Sequence, residues 1–244
     1  MGEYRLSFSI FLIAVIMIPA GHFLFEPDPI VQSVAFNGPD KGSAENTHID
    51  ELFQGALHFT RNDGQISNTE ILYYASGGNM GTGFSRNGMS VVLNEEKKMF
   101  SYRIEFIGGH SAGPIGEGEM LQKSNYLIGS GPDSWFIDVP NYERVVFHDV
   151  WDCIDIAYRS EEGRLKYDIF VRPGGRTEDI RFGFNGVEPG LSEEALLMIT
   201  PLGRVIDDAP VSYQDDRKVP SHWYLHPEGY VSIRFDGYDP EKEL

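Results

Sequence analysis

Apolar and polar residues alternate along two neighbouring segments of the chain, residues 154–159 and 164–172, and a period of two is typical of half-buried strands. A polar stretch, Ser160-Glu161-Glu162-Gly163, separates the two segments, and Pro173-Gly174-Gly175 follows the second. The alternation predicts a β-hairpin that turns one face toward a core. The residues predicted to face the core are Ile154, Ile156, Tyr158, Leu165, Tyr167, Ile169 and Val171.

Similar short patterns recur from residue 51 to the end of the chain, and Gly, Pro, Asn or Asp stands in nearly every gap between them. About ten short strands with such turns predict an all-β fold, an antiparallel β-sandwich, rather than alternating strands and helices. A helix fits the pattern only at Ile49–Phe59. The Gly-rich stretch Gly78–Gly83 is not followed by a helix pattern, so it predicts a loop between strands rather than a phosphate-binding loop.

The N-terminal part of the chain carries an apolar segment. Leu6–Ile18 is an uncharged apolar run of 13 residues after Arg5. It is followed by a small-residue break and a second short apolar stretch, so residues 6–25 fit either a signal peptide or a membrane anchor. Residues 26–50 are rich in Pro, Gly, Asn and Asp, which predicts a linker. The expected division is therefore a signal or anchor in 1–25, a linker in 26–50 and a β-sandwich domain in 51–244.

Composition narrows the classes of function. The 244-residue chain has a formal net charge of −17, and nucleic acid is excluded as a partner because its phosphates would be repelled. Hydrophobic residues make up 41% of the chain, enough for a packed core. Cys153 is the only cysteine, which rules out an intrachain disulfide and predicts a buried thiol.

Few residues of the sequence point to chemistry. The chain has no His-Glu-x-x-His or Cys/His cluster for zinc and no Gly-x-Ser-x-Gly motif. The sequence predicts neither a catalytic residue nor a cofactor. A Ca²⁺ site assembled across loops stays open as an alternative, although no Asp-x-Asp-x-Asp-Gly series is present. The candidate ligand-binding residues around the hairpin are Trp151, Asp152, Asp155 and Asp168.

Several aromatic residues leave two interpretations open. Planar rings on a surface can stack on sugar rings, but aromatic side chains are also common in sandwich cores. The residues concerned are Trp135, Tyr142, Trp151, Trp223 and Tyr224.

Several short motifs follow one another in a specific order along the chain. They are Asn62-Asp63-Gly64-Gln65, Ile71-Leu72-Tyr73, Asn125–Gly129 followed by Trp135, Ile154–Tyr158, Leu165–Asp168, Pro173-Gly174, Pro210–Gln214 and Gly237–Asp239. In these motifs and their order, the chain is similar to the N-terminal domain of unknown function of secreted bacterial and archaeal proteins that carry SBBP-type β-propeller repeats. It departs from that family in having Trp151-Asp152-Cys153 where Tyr-Pro-Gly is usual, and it contains no repeats.

Together these observations favour an exported, non-catalytic β-sandwich module with a structural or ligand-binding role at the cell surface. The expected partners are an extracellular protein or a glycan, and contact with a membrane is expected only through the N-terminal segment. The alternative is a carbohydrate-active enzyme or its accessory carbohydrate-binding domain, which would need two carboxylates opposed across a groove.

Overall fold

The protein is almost entirely β-structure. The computed structural model describes residues 57–77, 79–95, 98–128 and 131–244, together with the backbone of residues 2–8. These ranges contain no α-helix, and their only helical elements are two 3₁₀ turns, Pro132–Ser134 and Thr177–Asp179. The strands are β1 (Gly2–Phe8), β2 (Phe59–Arg61), β3 (Tyr73–Gly77), β4 (Met80–Ser85), β5 (Gly88–Glu95), β6 (Lys98–Phe106), β7 (Pro114–Leu127), β8 (Trp135–Trp151), β9 (Ile154–Glu161), β10 (Arg164–Val171), β11 (Phe182–Asn185), β12 (Pro189–Ser192), β13 (Ala195–Thr200), β14 (Gly203–Asp207), β15 (Ser212–Gln214), β16 (Arg217–Val219), β17 (Ser221–Leu225) and β18 (Val231–Phe235).

Sixteen of these strands form one hydrogen-bonded sheet, and β15 and β16 form a separate two-stranded ladder. The order in the large sheet is β12-β13-β14-β1-β10-β9-β8-β2-β3-β4-β5-β6-β11-β18-β17, with β7 paired to β8 beside this path. β1 runs parallel to β10 and to β14, and the other strand pairs are antiparallel.

The large sheet folds over, so that strands far apart in its order pack face to face. The Phe106 ring of β6 lies 5.1 Å from the Phe147 ring of β8, and the Phe84 ring of β4 lies 4.9 Å from the Tyr158 ring of β9. Strands from both ends of the path therefore contribute to one apolar core. This arrangement confirms the predicted antiparallel sandwich.

The hairpin predicted from the alternating pattern is formed by β9 and β10. Tyr158 pairs with Tyr167, and both side chains are buried. The turn is tighter than the four-residue stretch suggested, because Glu161 pairs with Arg164 and only two residues connect the strands. Those residues, Glu162 and Gly163, both have positive φ angles, 52° and 73°, as a type I′ turn requires.

Other details differ from the sequence-based prediction. The described residues contain eighteen strands rather than about ten, and Met80 is already in strand β4 rather than in a loop. Cys153 is only partly buried, because it occupies a turn with φ of 60°. Phe59 begins a strand, whereas the rest of the helix considered at Ile49–Phe59 lies almost wholly outside the described residues.

The N-terminal segments are only partly described. Most of the apolar run and the whole 26–50 linker lie outside the described residues, while the backbone of Gly2–Phe8 forms β1. Within the described part of the chain, no helix has the length and apolarity that a membrane span needs.

Candidate functional site

A surface cleft of about 210 Å³ lies among three segments of the chain: the one that follows β6, the end of β8, and the one that precedes β11. It is smaller than the pockets of roughly 300 Å³ and more that hold drug-sized ligands, so it suits a small group. The lining residues are Ile107, Gly108, His110, Trp151, Asp152, Asp179 and Arg181.

Hydrogen bonds hold the three segments of the cleft together. The backbone N–H of Ile107 donates to the carbonyl oxygen of Arg181 at 2.9 Å, and the N–H of His110 donates to that of Val150 at 2.9 Å. The indole Nε1–H of Trp151 donates to the Ile107 carbonyl, also at 2.9 Å. These bonds position the cleft walls from strand ends rather than from a free loop.

Trp151 connects the cleft to the core. Its side chain is only 3% exposed, and its ring lies edge-on to Phe106 and Phe182, each at a centroid distance of 5.9 Å. The cleft therefore has a rigid aromatic floor whose position is fixed by core packing.

Polar and charged groups form the rim of the cleft. The imidazole Nε2 of His110 lies 3.1 Å from a carboxylate oxygen of Asp152, whose side chain is 89% exposed. Arg181 donates from Nε to the backbone oxygen of Glu178 at 3.0 Å. The rim thus offers carboxylate acceptors from Asp152 and Asp179 and a guanidinium donor, a set suited to a ligand with several hydroxyl or amide groups.

The lining residues in the described structure include no hydroxyl or thiol side chain to serve as a nucleophile. His110 and Asp152 are both largely exposed to solvent, so their charges are screened by water. The cleft therefore offers a ligand an imidazole, two carboxylates and a guanidinium for hydrogen bonding.

The structure separates the four predicted ligand-binding residues into two groups. Trp151 and Asp152 line the cleft, whereas Asp155 and Asp168 do not and instead lie on the outer face of the β9–β10 hairpin.

Asp155 stabilises an irregular stretch of β8. The pairing of β8 with β9 shifts between Phe147 and Trp151, and Asp149 within this stretch has φ of 46°. The Asp155 carboxylate accepts hydrogen bonds from the Asp149 backbone N–H at 2.8 Å and from Arg172 at 3.1 Å, and it lies 3.2 Å from Nδ1 of His148. Asp155 is therefore placed to hold the bulge that leads into the cleft.

Replacing Asp155 with alanine is expected to lower the free energy of unfolding by about 2 kcal/mol, because a carboxylate only 15% exposed loses several charge-assisted bonds. Urea denaturation measures this change. The exposed Asp216→Ala is the matched control, with an expected change below about 0.5 kcal/mol. Equal effects of the two substitutions would contradict the role assigned to Asp155.

Asp168 belongs to a chain of ion pairs across β9 and β10. Its carboxylate accepts from Nε of Arg159 at 2.8 Å, and Arg159 also lies 3.4 Å from Glu161. Glu161 pairs in turn with Lys166, and this bond lowers the pKa of the Glu161 carboxyl. Asp168 is thus part of a network that links the hairpin strands.

The suggested aromatic surface is wrong for three of its five residues. Trp151, Trp223 and Tyr142 are buried, because they pack in the core rather than on a surface. Trp135 is exposed, and Tyr224 is partly buried.

A second cavity lies inside the core, with a volume of about 20 Å³. Tyr158, Tyr167 and Asp207 are among its lining residues, and its size matches about one water molecule. This cavity is too small for an organic ligand. Among the described residues, no three His, Cys, Asp or Glu side chains form a group suited to a metal ion.

Sequence reasoning missed five lining residues of the cleft, three of them polar. His110, Asp179 and Arg181 are far from Asp152 in sequence, and no motif connects them. Only the pairing of β11 with β6, together with the bond from Trp151 to Ile107, brings these segments together.

Comparison with known protein families identifies the domain. The model of a domain of unknown function, DUF7948, matches residues 59–244. The chain belongs to the DUF7948 family. The matched range of this DUF7948 domain contains every lining residue of the cleft. No curated protein and no solved structure matches the chain.

Proposed function

We propose that this DUF7948 domain is an exported, non-catalytic binding module and that its cleft holds a small polar ligand, a sugar unit of a glycan. The observation that carries the proposal is the cleft itself: it joins a fixed Trp151 floor to the polar rim of His110, Asp152, Asp179 and Arg181. Convergent polar groups around a rigid cleft are typical of binding pockets.

Export is proposed from the sequence of the N-terminal segment. The uncharged run Leu6–Ile18 has the length of a signal-peptide core, and the motifs of residues 62–239 resemble the domain that precedes SBBP-type repeats in secreted proteins. In this proposal, the module acts outside the cytoplasm and binds at the cell surface.

Two of the predicted ligand-binding carboxylates, Asp155 and Asp168, do not support a hydrolase role. Glycoside hydrolysis needs two carboxyl groups about 5–10 Å apart across a substrate groove. Asp155 and Asp168 each bond to an arginine and neither lines the cleft, so they serve the hairpin rather than a substrate.

A thermal-shift series on the full-length chain tests the proposed binding. The probes are glucose, galactose, mannose, N-acetylglucosamine and maltotetraose. A sugar present at 100 times its Kd stabilises a protein by about 2.7 kcal/mol, which for this size raises the Tm by about 5–10 °C. We expect at least one of these sugars to give such a shift without being hydrolysed.

Two cleft variants, Asp152→Asn and His110→Gln, are expected to reduce the shift, because the first replaces a charged acceptor with an amide and the second removes the imidazole from the rim. The control Glu194→Gln changes an exposed carboxylate that does not line the cleft and should leave the shift unchanged. No shift with any of the five sugars, a shift that survives both cleft variants, or hydrolysis of a probe would contradict the proposal.

A further inference from the structure

Beside the cleft, a continuous stack of cations and rings covers the outer face of the β17–β18 hairpin. The Arg234 guanidinium lies 3.2 Å from the centroid of the Tyr224 ring, and Tyr224 meets the His226 ring edge-on at 4.5 Å. His226 stacks on Tyr230 at 3.9 Å, and the Arg181 guanidinium lies 5.9 Å from the Tyr230 centroid. We name these five residues the arginine–tyrosine face.

Neither arginine of this face forms an ion pair in the described structure. Neither Arg181 nor Arg234 has a carboxylate oxygen within 4.0 Å, although the chain has 37 acidic and 20 basic residues. Most surface arginines of such an acidic protein are expected to find a carboxylate. Here rings hold the guanidinium groups instead, through cation–π contacts that leave N–H donors available.

Burial and neighbouring charges shift the pKa of His226. Burial lowers the pKa of His226; Glu228 opposes that effect, and the positive charges of Arg234 and Arg181 both reinforce it. The imidazole also lies 2.8 Å from the Ser232 hydroxyl. His226 therefore lies among two guanidinium groups, Arg181 and Arg234, and one carboxylate, Glu228.

The side chains of this face, rather than its backbone, are the groups that it offers to a ligand. β18 pairs with β17 along its length and with β11 at Val231, and β17 is the last strand in the order of the sheet. What the face presents is guanidinium groups and the phenol rings of Tyr224 and Tyr230.

We propose that the arginine–tyrosine face binds an acidic saccharide, with the guanidinium groups bonding to its carboxylate or sulfate oxygens. A guanidinium forms paired, charge-assisted hydrogen bonds with both kinds of oxyanion. The phenol hydroxyls of Tyr224 and Tyr230 then form hydrogen bonds with hydroxyl groups of the sugar. This site is additional to the cleft and independent of the ligand proposed for it, although Arg181 lies at the boundary of both.

Titration calorimetry on the full-length chain tests this site with three tetrasaccharides: tetragalacturonate, a sulfated heparin fragment and neutral maltotetraose. We expect at least one of the two acidic probes to bind, with affinity falling as salt is raised, because the contacts are ionic. Binding of only one of them assigns the oxyanion as carboxylate or sulfate.

Arg234→Gln is expected to weaken binding of that acidic probe at least 10-fold. Arg144→Gln makes the same change of charge on β8, and it should have less than a 2-fold effect. Arg234→Lys should also weaken binding, because lysine keeps the charge but loses the paired donors. Circular dichroism of each variant establishes that it is folded.

Four results would overturn the proposal. They are no binding of either acidic probe, equal affinities in Arg234→Gln and the unsubstituted protein, equally tight binding of maltotetraose that also depends on Arg234, and equally tight binding of a tetraglutamate peptide that also depends on Arg234. Asp152→Asn separates this site from the cleft. It should leave acidic-saccharide binding unchanged, whereas a loss with Asp152→Asn would assign that ligand to the cleft and overturn the separate site.

Discussion

Tyr167→Ala is expected to lower the free energy of unfolding by about 3–5 kcal/mol, the range for removing a large side chain from a packed core. Tyr167 is 6% exposed, its ring lies 5.5 Å from the Tyr158 ring, and its hydroxyl donates to the buried carboxylate of Asp207 at 2.6 Å. The substitution removes the ring packing and the hydrogen bond together. A urea unfolding curve of the full-length chain measures the loss, and its midpoint should fall clearly.

Two further variants separate the contributions at this position. Tyr167→Phe keeps the ring and removes the hydroxyl, so it should cost about 1.5–3 kcal/mol, the value for a hydrogen bond to a charged group. Phe170→Ala is the matched control on the same strand, because Phe170 is 41% exposed on the outer face. We expect a cost below about 1 kcal/mol there. If Phe170→Ala costs as much as Tyr167→Ala, the assignment of inner and outer faces is wrong.

Gly88→Ala is expected to be the other severe change, with a loss of about 3 kcal/mol or more, because backbone strain and overpacking combine. Gly88 begins β5 with φ of +142°, and a Cβ atom there would lie 2.1 Å from the backbone oxygen of Ile104 in the neighbouring strand. That oxygen belongs to a paired strand and cannot move without disrupting the ladder. Thermal and urea unfolding both report the loss.

Gly237→Ala separates the clash from the cost of the backbone conformation. Gly237 also has a positive φ, +71°, but no atom lies within 4 Å of the position that a Cβ would take. Gly237→Ala should therefore lower the free energy of unfolding by only about 1 kcal/mol, the cost of a left-handed backbone conformation. Similar losses for the two substitutions would show that the close approach of Ile104 does not matter.

The alternating pattern identified strands that are buried on one face and missed strands that are buried on both faces. β10 alternates from Arg164 to Ile169, before Phe170 interrupts the pattern, and Tyr167 faces the core as predicted. β4 has no such pattern, because nearly all of its residues are buried and two of them are glycines. Gly83 is one of these, and a Cβ there would lie 2.8 Å from the Ile71 side chain. Close packing therefore requires a glycine at position 83, although glycine in a sequence usually indicates a loop.

The sequence predicted residues of the candidate site only next to the β9–β10 hairpin. Trp151 and Asp152 were found because they adjoin the strongest pattern in the chain, whereas His110 and Arg181 come from segments that adjoin other strands. Asp155 was also predicted but does not line the cleft, because its carboxylate bonds to Arg172 and to the backbone N–H of Asp149. A carboxylate that binds a ligand and one that holds a bulge look the same in a sequence.

The order of strands in the large sheet also sets how the chain folds. Several ladders, such as β3 to β6 and β8 to β10, join strands that follow one another and can form early as local hairpins. The junctions between these ladders are distant in sequence: β2 pairs with β8 through Thr60 and Asn141, and β6 pairs with β11 through Phe106 and Phe182. Because closing such long loops costs entropy before any contact forms, the contact order is high and folding is expected to take milliseconds to seconds. The cleft is built across the β6–β11 junction, so binding competence should appear late, only after the slow joining of the preformed hairpins.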